Sequence, residues 1–67
     1  MRRLTAGEIR RLQAGGIDVH ELKGGARTGA LDLFKDDDGA IYVMMKDGSG
    51  EPEPTGLNMR EFRRDAP

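Results

Sequence analysis

His20 is the only histidine in this chain and the one side chain able to trade protons near neutral pH at its unperturbed pKa. It stands two residues after Asp18 and beside Glu21, in what reads as the first turn of a short helix. A helix N-terminus disfavours the imidazolium form, so a neutral, base-competent ring is expected there, with Asp18 placed to orient it. The same residues support a local reading: Asp18 and Glu21 form a capping box, and His20 is a surface residue within it. Lys46 closes a strand on the face that carries Tyr42 and Asp32. A lysine there either holds a phosphate as a point charge or is a solvated edge lysine. Phe34 and Tyr42 share that face, where aromatic rings can stack on unpaired bases unless other elements cover them. Arg10, Arg11, Arg27, Arg60, Arg63 and Arg64 are further candidates for phosphate contact.

Composition removes several alternatives. There is no cysteine, so neither a disulfide framework nor a thiolate zinc site supports the chain. With one histidine, a protein-built zinc site is not expected, and no cofactor is implied. Asp36-Asp37-Asp38 lacks the spacing and distal glutamate of a calcium loop, and Gly48-Ser49-Gly50 lacks the Gly-Lys-Ser/Thr of a phosphate loop. No apolar run approaches the roughly 20 residues of a membrane span, so membrane insertion is not expected. Net charge is −1, from 11 basic and 12 acidic residues, which leaves polyanion binding to local clusters and argues against a DNA-binding domain.

The elements that must position these residues announce themselves through one recurring signal. Leu4-Thr5-Ala6-Gly7-Glu8-Ile9, Ile17-Asp18-Val19-His20-Glu21-Leu22 and Leu57-Asn58-Met59-Arg60-Glu61-Phe62 share an order. In each, an apolar residue is followed by a capping side chain, then a glutamate three residues on, then a second apolar residue. Helix starts are therefore expected near residues 5, 18 and 58. The first helix should run over about 6–14 to Gly15-Gly16, the second is a turn over about 19–23, and the third covers about 59–64. Two β-rich runs flank Asp36-Asp37-Asp38-Gly39, predicting a hairpin over about 31–46 with Gly39 in the left-handed region. Alternation puts Leu31, Leu33, Ile41, Val43 and Met45 on a core face, and Asp32, Phe34, Tyr42, Met44 and Lys46 on the other. Pro52 and Pro54 make 47–57 a loop in this reading, and a long loop in a small domain is more often functional than idle. The expectation is one small α+β domain of 67 residues, with short capped helices at both ends packed on a central antiparallel hairpin or small sheet.

In that order the pieces resemble a known family. Ile17-Asp18-Val19-His20-Glu21-Leu22-Lys23, then Asp32 through Gly39, Ile41-Tyr42-Val43, and Lys46 with Pro54-Thr55-Gly56-Leu57-Asn58 resemble the type 33 domains of bacterial polymorphic toxins. The resemblance spans about Leu4 to Phe62, with Met44-Met45 standing where the family carries a Lys-Pro pair. A looser likeness, in the order of acid, histidine and acid before a sheet, is to the ribosome-cleaving colicin ribonucleases.

The family resemblance implies an endoribonuclease toxin that cleaves RNA by metal-independent attack of the ribose 2′-hydroxyl. In that reading His20 is base or acid, oriented by Asp18. Lys46 and Lys23 hold phosphate, Thr55 donates to a non-bridging oxygen, and Tyr42 stacks on a base or makes the second proton transfer. Arg27, Lys35 and Phe34 also contact substrate. The implied partners are RNA and a cognate immunity protein. The domain would be secreted as the C-terminal part of a larger toxin and act in the target-cell cytoplasm. The alternative is a non-catalytic interaction module that docks a protein through the hairpin face and the C-terminal helix.

Overall fold

A computed structural model describes residues 1–24 and 28–62, with Thr28 by its backbone alone. It is an α+β fold. Strand β1 (Arg2–Arg3) leads into helix α1 (Ala6–Ala14), the short helix α2 (Val19–Leu22) and a 3-10 turn at Thr28–Ala30. Strands β2 (Leu31–Lys35), β3 (Ala40–Met45) and β4 (Glu53–Asn58) follow, and a 3-10 turn at Met59–Phe62 comes last. The sheet is antiparallel in the order β1-β2-β3-β4.

Both helix starts are made by side chains. Thr5 Oγ1 accepts from the Glu8 amide at 3.1 Å, and Glu8 Oε1 accepts from the Thr5 amide at 2.8 Å, the reciprocal pair of a capping box. Asp18 Oδ1 accepts from the Glu21 amide at 3.2 Å. Helix α1 ends in a Schellman arrangement, with Gly16 at φ +92°, its amide bonded to the Gln13 carbonyl, and the Ile17 amide bonded to the Leu12 carbonyl. Gly15 answers a different need. A Cβ there would lie 2.7 Å from the Phe62 ring, which packs against this end of α1.

The hairpin turn is organised by one carboxylate. Asp36 Oδ1 accepts from the Asp38 and Ala40 amides, both at 2.9 Å, and Gly39 takes φ +86°. Asn58 clamps the turn from outside, donating to the Asp38 carbonyl, while the Met59 amide bonds to the Gly39 carbonyl.

Three features depart from the expectations. First, Pro52 and Pro54 do not keep 47–57 irregular, because Glu53–Asn58 is a strand pairing with β3. β4 is an edge strand, where the amide that proline lacks has no partner to lose. Second, the segment after Asn58 is a 3-10 turn rather than an α-helix over its described residues, and residues 63 and 64 lie outside them. It still uses the expected cap: Asn58 Oδ1 accepts from the Arg60 amide, and Glu61 Oε1 from the Asn58 amide. Third, both sheet faces bury apolar side chains.

The main core joins Leu4, Leu12, Leu33, Ile41 and Met59, with Ile17, Val19, Leu22 and Phe62 packed against it. Met45, expected in this core, is exposed. On the opposite face Phe34 and Met44 are also buried, at 6% and 8% exposure. Strand β1, at the edge of the sheet, had no signal in the sequence. It sets Arg3 opposite Phe34, and the arginine runs across this face to Asp32 and the Lys46 carbonyl.

Among the described residues, one ion pair joins helix to sheet. Glu8, only 8% exposed, receives the Lys35 ammonium on the carboxylate oxygen that Thr5 does not use. Burial works to raise its pKa, but the bonds from Lys35 and Thr5 prevail and hold the carboxyl below the usual glutamate range. A depressed native pKa contributes stability that is complete above the unfolded value, about 4.5, and is lost as pH falls through the native one. Glu8→Ala should cost about 2 kcal/mol, since it removes the cap acceptor and strands the lysine. Glu8→Gln should flatten the acid limb of the stability curve. Chemical denaturation across pH 3 to 7 (roughly the carboxylate range) measures both.

Candidate functional site between the second helix and the fourth strand

Strand β4 is the element that builds a site. It pairs Glu53 with Val43, Pro54 with Tyr42 and Asn58 with Ala40. Between the last two pairs β3 contributes only Ile41, whereas β4 contributes Thr55, Gly56 and Leu57. The excess chain is taken up by a bulge. Gly56 sits at φ +81°, the Thr55 hydroxyl donates to the Ile41 carbonyl at 2.8 Å, and the Leu57 amide donates back to that hydroxyl at 3.1 Å. Ahead of the bulge, at Glu53–Thr55, the strand lies beside the end of α2. The two enclose a pocket of about 330 Å³, lined by Leu22, Lys23, Leu31, Val43, Glu53, Pro54 and Thr55.

Lys23 and Thr55, far apart in the sequence, therefore line one pocket. His20 precedes Lys23 by three residues, so the two are neighbours on one side of α2. The ring is exposed and makes no hydrogen bond with the other described residues. Asp18 makes no hydrogen bond to it; its Oδ1 accepts from the Glu21 amide as the helix cap.

The remaining candidates are dispersed. Tyr42 lies across the sheet from α2, donating its hydroxyl to Asp36 Oδ2 at 3.3 Å. The Asp36 charge raises the phenol pKa, with burial, the hydrogen bond itself and Asp38 adding to the effect. Phe34 is buried and offers no stacking face. Lys35 is committed to Glu8 on the helix side. Lys46 follows the last residue of β3, is exposed, and by strand parity belongs with Tyr42 rather than with α2. Arg27 lies outside the described residues. The expected single face of Tyr42, Phe34 and Lys46 working with His20 is thus divided by the sheet.

Thr55 also changes role. Its proton is used by the Ile41 carbonyl, so it is a bulge-forming residue rather than a free donor in a loop. Glu53, which carried no motif in the sequence, enters the pocket because it pairs with Val43 on the core side. Only the alternation of an unrecognised strand could have signalled it. Among the described residues no three histidine, cysteine or carboxylate side chains converge, and no helix is long and apolar enough to cross a membrane.

The sequence model of the bacterial toxin 33 family matches residues 2–60, nearly the whole chain, and the protein belongs to that family. No curated protein and no solved structure matches. The match covers the α2 segment, the hairpin and the Pro54–Asn58 bulge, the three parts on which the resemblance rested.

Two consequences can be measured. Thr55→Val should lower stability by about 1 to 2 kcal/mol in thermal unfolding, and Thr55→Ser should restore it, because the hydroxyl bridges Ile41 and Leu57. The Tyr42 phenol should ionise above the usual tyrosine range in an ultraviolet absorbance titration. Asp36→Asn should bring it back down by removing the adjacent negative charge.

Proposed function

We propose that this toxin domain is an endoribonuclease whose substrate strand lies along the groove between α2 and β4. The observation that carries the reading is the meeting of Lys23 with Glu53 and Thr55 around one pocket, with His20 one helical turn away. An exposed imidazole without a competing partner among the described residues is accessible to a ribose. A lysine three residues on is accessible to the adjoining phosphate.

In the reaction His20 takes the 2′-hydroxyl proton and the 2′-oxygen attacks the adjacent phosphorus. The bond to the 5′-oxygen breaks, that oxygen takes a proton from water, and the His20 imidazolium returns its proton to the hydroxide left behind. Lys23 offsets the charge that gathers on the phosphoryl oxygens. The products are a 2′,3′-cyclic phosphate and a free 5′-hydroxyl. No step here requires a metal ion, and DNA, lacking the 2′-hydroxyl, is not a substrate. Tyr42, Phe34, Lys35 and Lys46 have no part in it, since they are buried, ion-paired or on the far side of the sheet. We further propose that the domain is delivered as the C-terminal part of a larger secreted toxin, acts in the target cytoplasm, and is neutralised by an immunity protein covering this groove.

A second reading draws on the same exposed histidine. The absence of a hydrogen bond from any described residue to His20 also suits a docking module without catalysis. One experiment separates them: incubation of the purified domain with total RNA in the presence of a chelator. The nuclease reading expects fragments with cyclic phosphate ends and a loss of at least about a hundredfold in His20→Ala, at unchanged thermal stability. Undiminished cleavage by the variant would remove His20 from the mechanism. No cleavage at stoichiometric protein would favour the docking module.

A further inference from the structure

The pocket beside Lys23 has a chemistry that a phosphate site alone does not require. Leu22, Leu31, Val43 and Pro54 give it apolar walls, while Glu53 and Lys23 supply its charges. The two charges line one pocket but do not pair. Neither belongs to an ion pair among the described residues, and the Glu53 carboxylate accepts no hydrogen bond from them. A cation and an anion held apart across an apolar hollow can address two ends of one ligand, the anion meeting donors and the cation meeting an anionic group.

Unpaired nucleotides have that polarity, with a flat base at one end and a phosphate at the other. Single-stranded RNA is read in this manner, through bases turned out against apolar or aromatic surface and hydrogen-bonded along the Watson–Crick edge. A carboxylate offers only acceptors, so the matching edge must offer donors side by side. Adenine presents a donor next to an acceptor, as does cytosine, and uracil presents one donor flanked by two acceptors. Guanine alone presents two neighbouring donors, N1–H and the N2 amino group. From this complementarity we infer that the pocket between α2 and β4 selects guanine, with Glu53 accepting from both donors, the apolar walls holding the base and Lys23 holding the adjoining phosphate. The inference rests on the ribonuclease reading and adds its substrate specificity: cleavage occurs beside guanosine.

β4 accounts for how the carboxylate comes to be there. Its pairing with Val43 turns Glu53 to the core side, and the strand continues into a bulge whose hydrogen bonds hold Thr55. Glu53 itself is exposed and carries no load in the fold, so Glu53→Gln is a substitution the domain should tolerate.

Mapping cleavage ends on an RNA of mixed sequence tests the inference together with a mononucleotide titration. The parent should cut beside guanosines. Glu53→Gln, which sets a donor against one guanine donor, should lower kcat/KM at those sites by at least about tenfold. In the His20→Ala protein, guanosine 3′-monophosphate should shift the methyl resonances of Leu22, Leu31 and Val43, and adenosine 3′-monophosphate should not. Glu53→Gln in that background should abolish the difference. Cleavage without base preference would overturn the guanine pocket and leave the ribonuclease standing. Absence of cleavage would overturn the ribonuclease, and the titration would then judge the pocket alone: equal shifts with both nucleotides, or none with either, would sink it.

Discussion

The contact between Glu8 and Lys35 is the joint on which this small domain depends. One carboxylate closes the first turn of α1 through Thr5 and, with its other oxygen, binds the ammonium at the end of β2. A chain with two phenylalanines, one tyrosine and no tryptophan cannot rely on core mass alone to fix a helix on a sheet. A partly desolvated ion pair is directional where apolar contact is not, so it selects one placement of α1 on the strands. The loss of solvation at Glu8 is offset because both carboxylate oxygens receive donors. Placing α1 also sets the Schellman turn that follows it, and through Gly16 and Ile17 the entry to α2, which carries His20 and Lys23.

A second group of constraints holds the other wall of the site. Thr55 and Gly56 look in the sequence like part of a functional loop and Asn58 like a helix cap, and the structure uses each of them to build. The threonine hydroxyl bridges two strand positions, the glycine takes the left-handed turn of the bulge, and the asparagine clamps the hairpin turn while capping the last 3-10 turn. Gly39 is required twice over: its φ is positive, and a Cβ would lie 2.9 Å from Asn58 Oδ1. The family match includes this whole segment, and the folded chain explains why those residue types stand there without assigning any of them to chemistry. Their contribution to the candidate site is indirect, by bringing Glu53 and Pro54 beside α2.

The sheet separates what the sequence had grouped. Period-two alternation sorts β2 and β3 side chains correctly into two sets, but it does not say which set meets the helices or whether the other set meets anything. Lys35 shows the difficulty, since a charged residue at a strand end looked available to substrate and is bound to a helix glutamate. Phe34 shows it again: it falls on the face away from the helices and is still buried, with a two-residue strand setting Arg3 opposite it. Glu53 is the reverse case, an apparently idle charge in a proline-rich stretch that the fold sets into the one pocket combining opposite charges with apolar walls among those described.

Interactions that close within three or four residues were legible from the amino-acid order. The caps at Thr5, Asp18 and Asn58, the glycine stop after α1 and the Asp36–Gly39 turn belong to this class, and with the apolar alternation they specify a small α+β domain. Each is decided by neighbouring dihedrals and one side-chain bond, so its physics is contained in the local sequence. The existence of β1 and β4, the burial of Phe34, the engagement of Lys35 and the company of His20 and Lys23 were settled only by tertiary contacts. Those depend on which distant segment comes to lie alongside, and an edge strand with a proline and a bulge gives almost no local sign of the partner it will find.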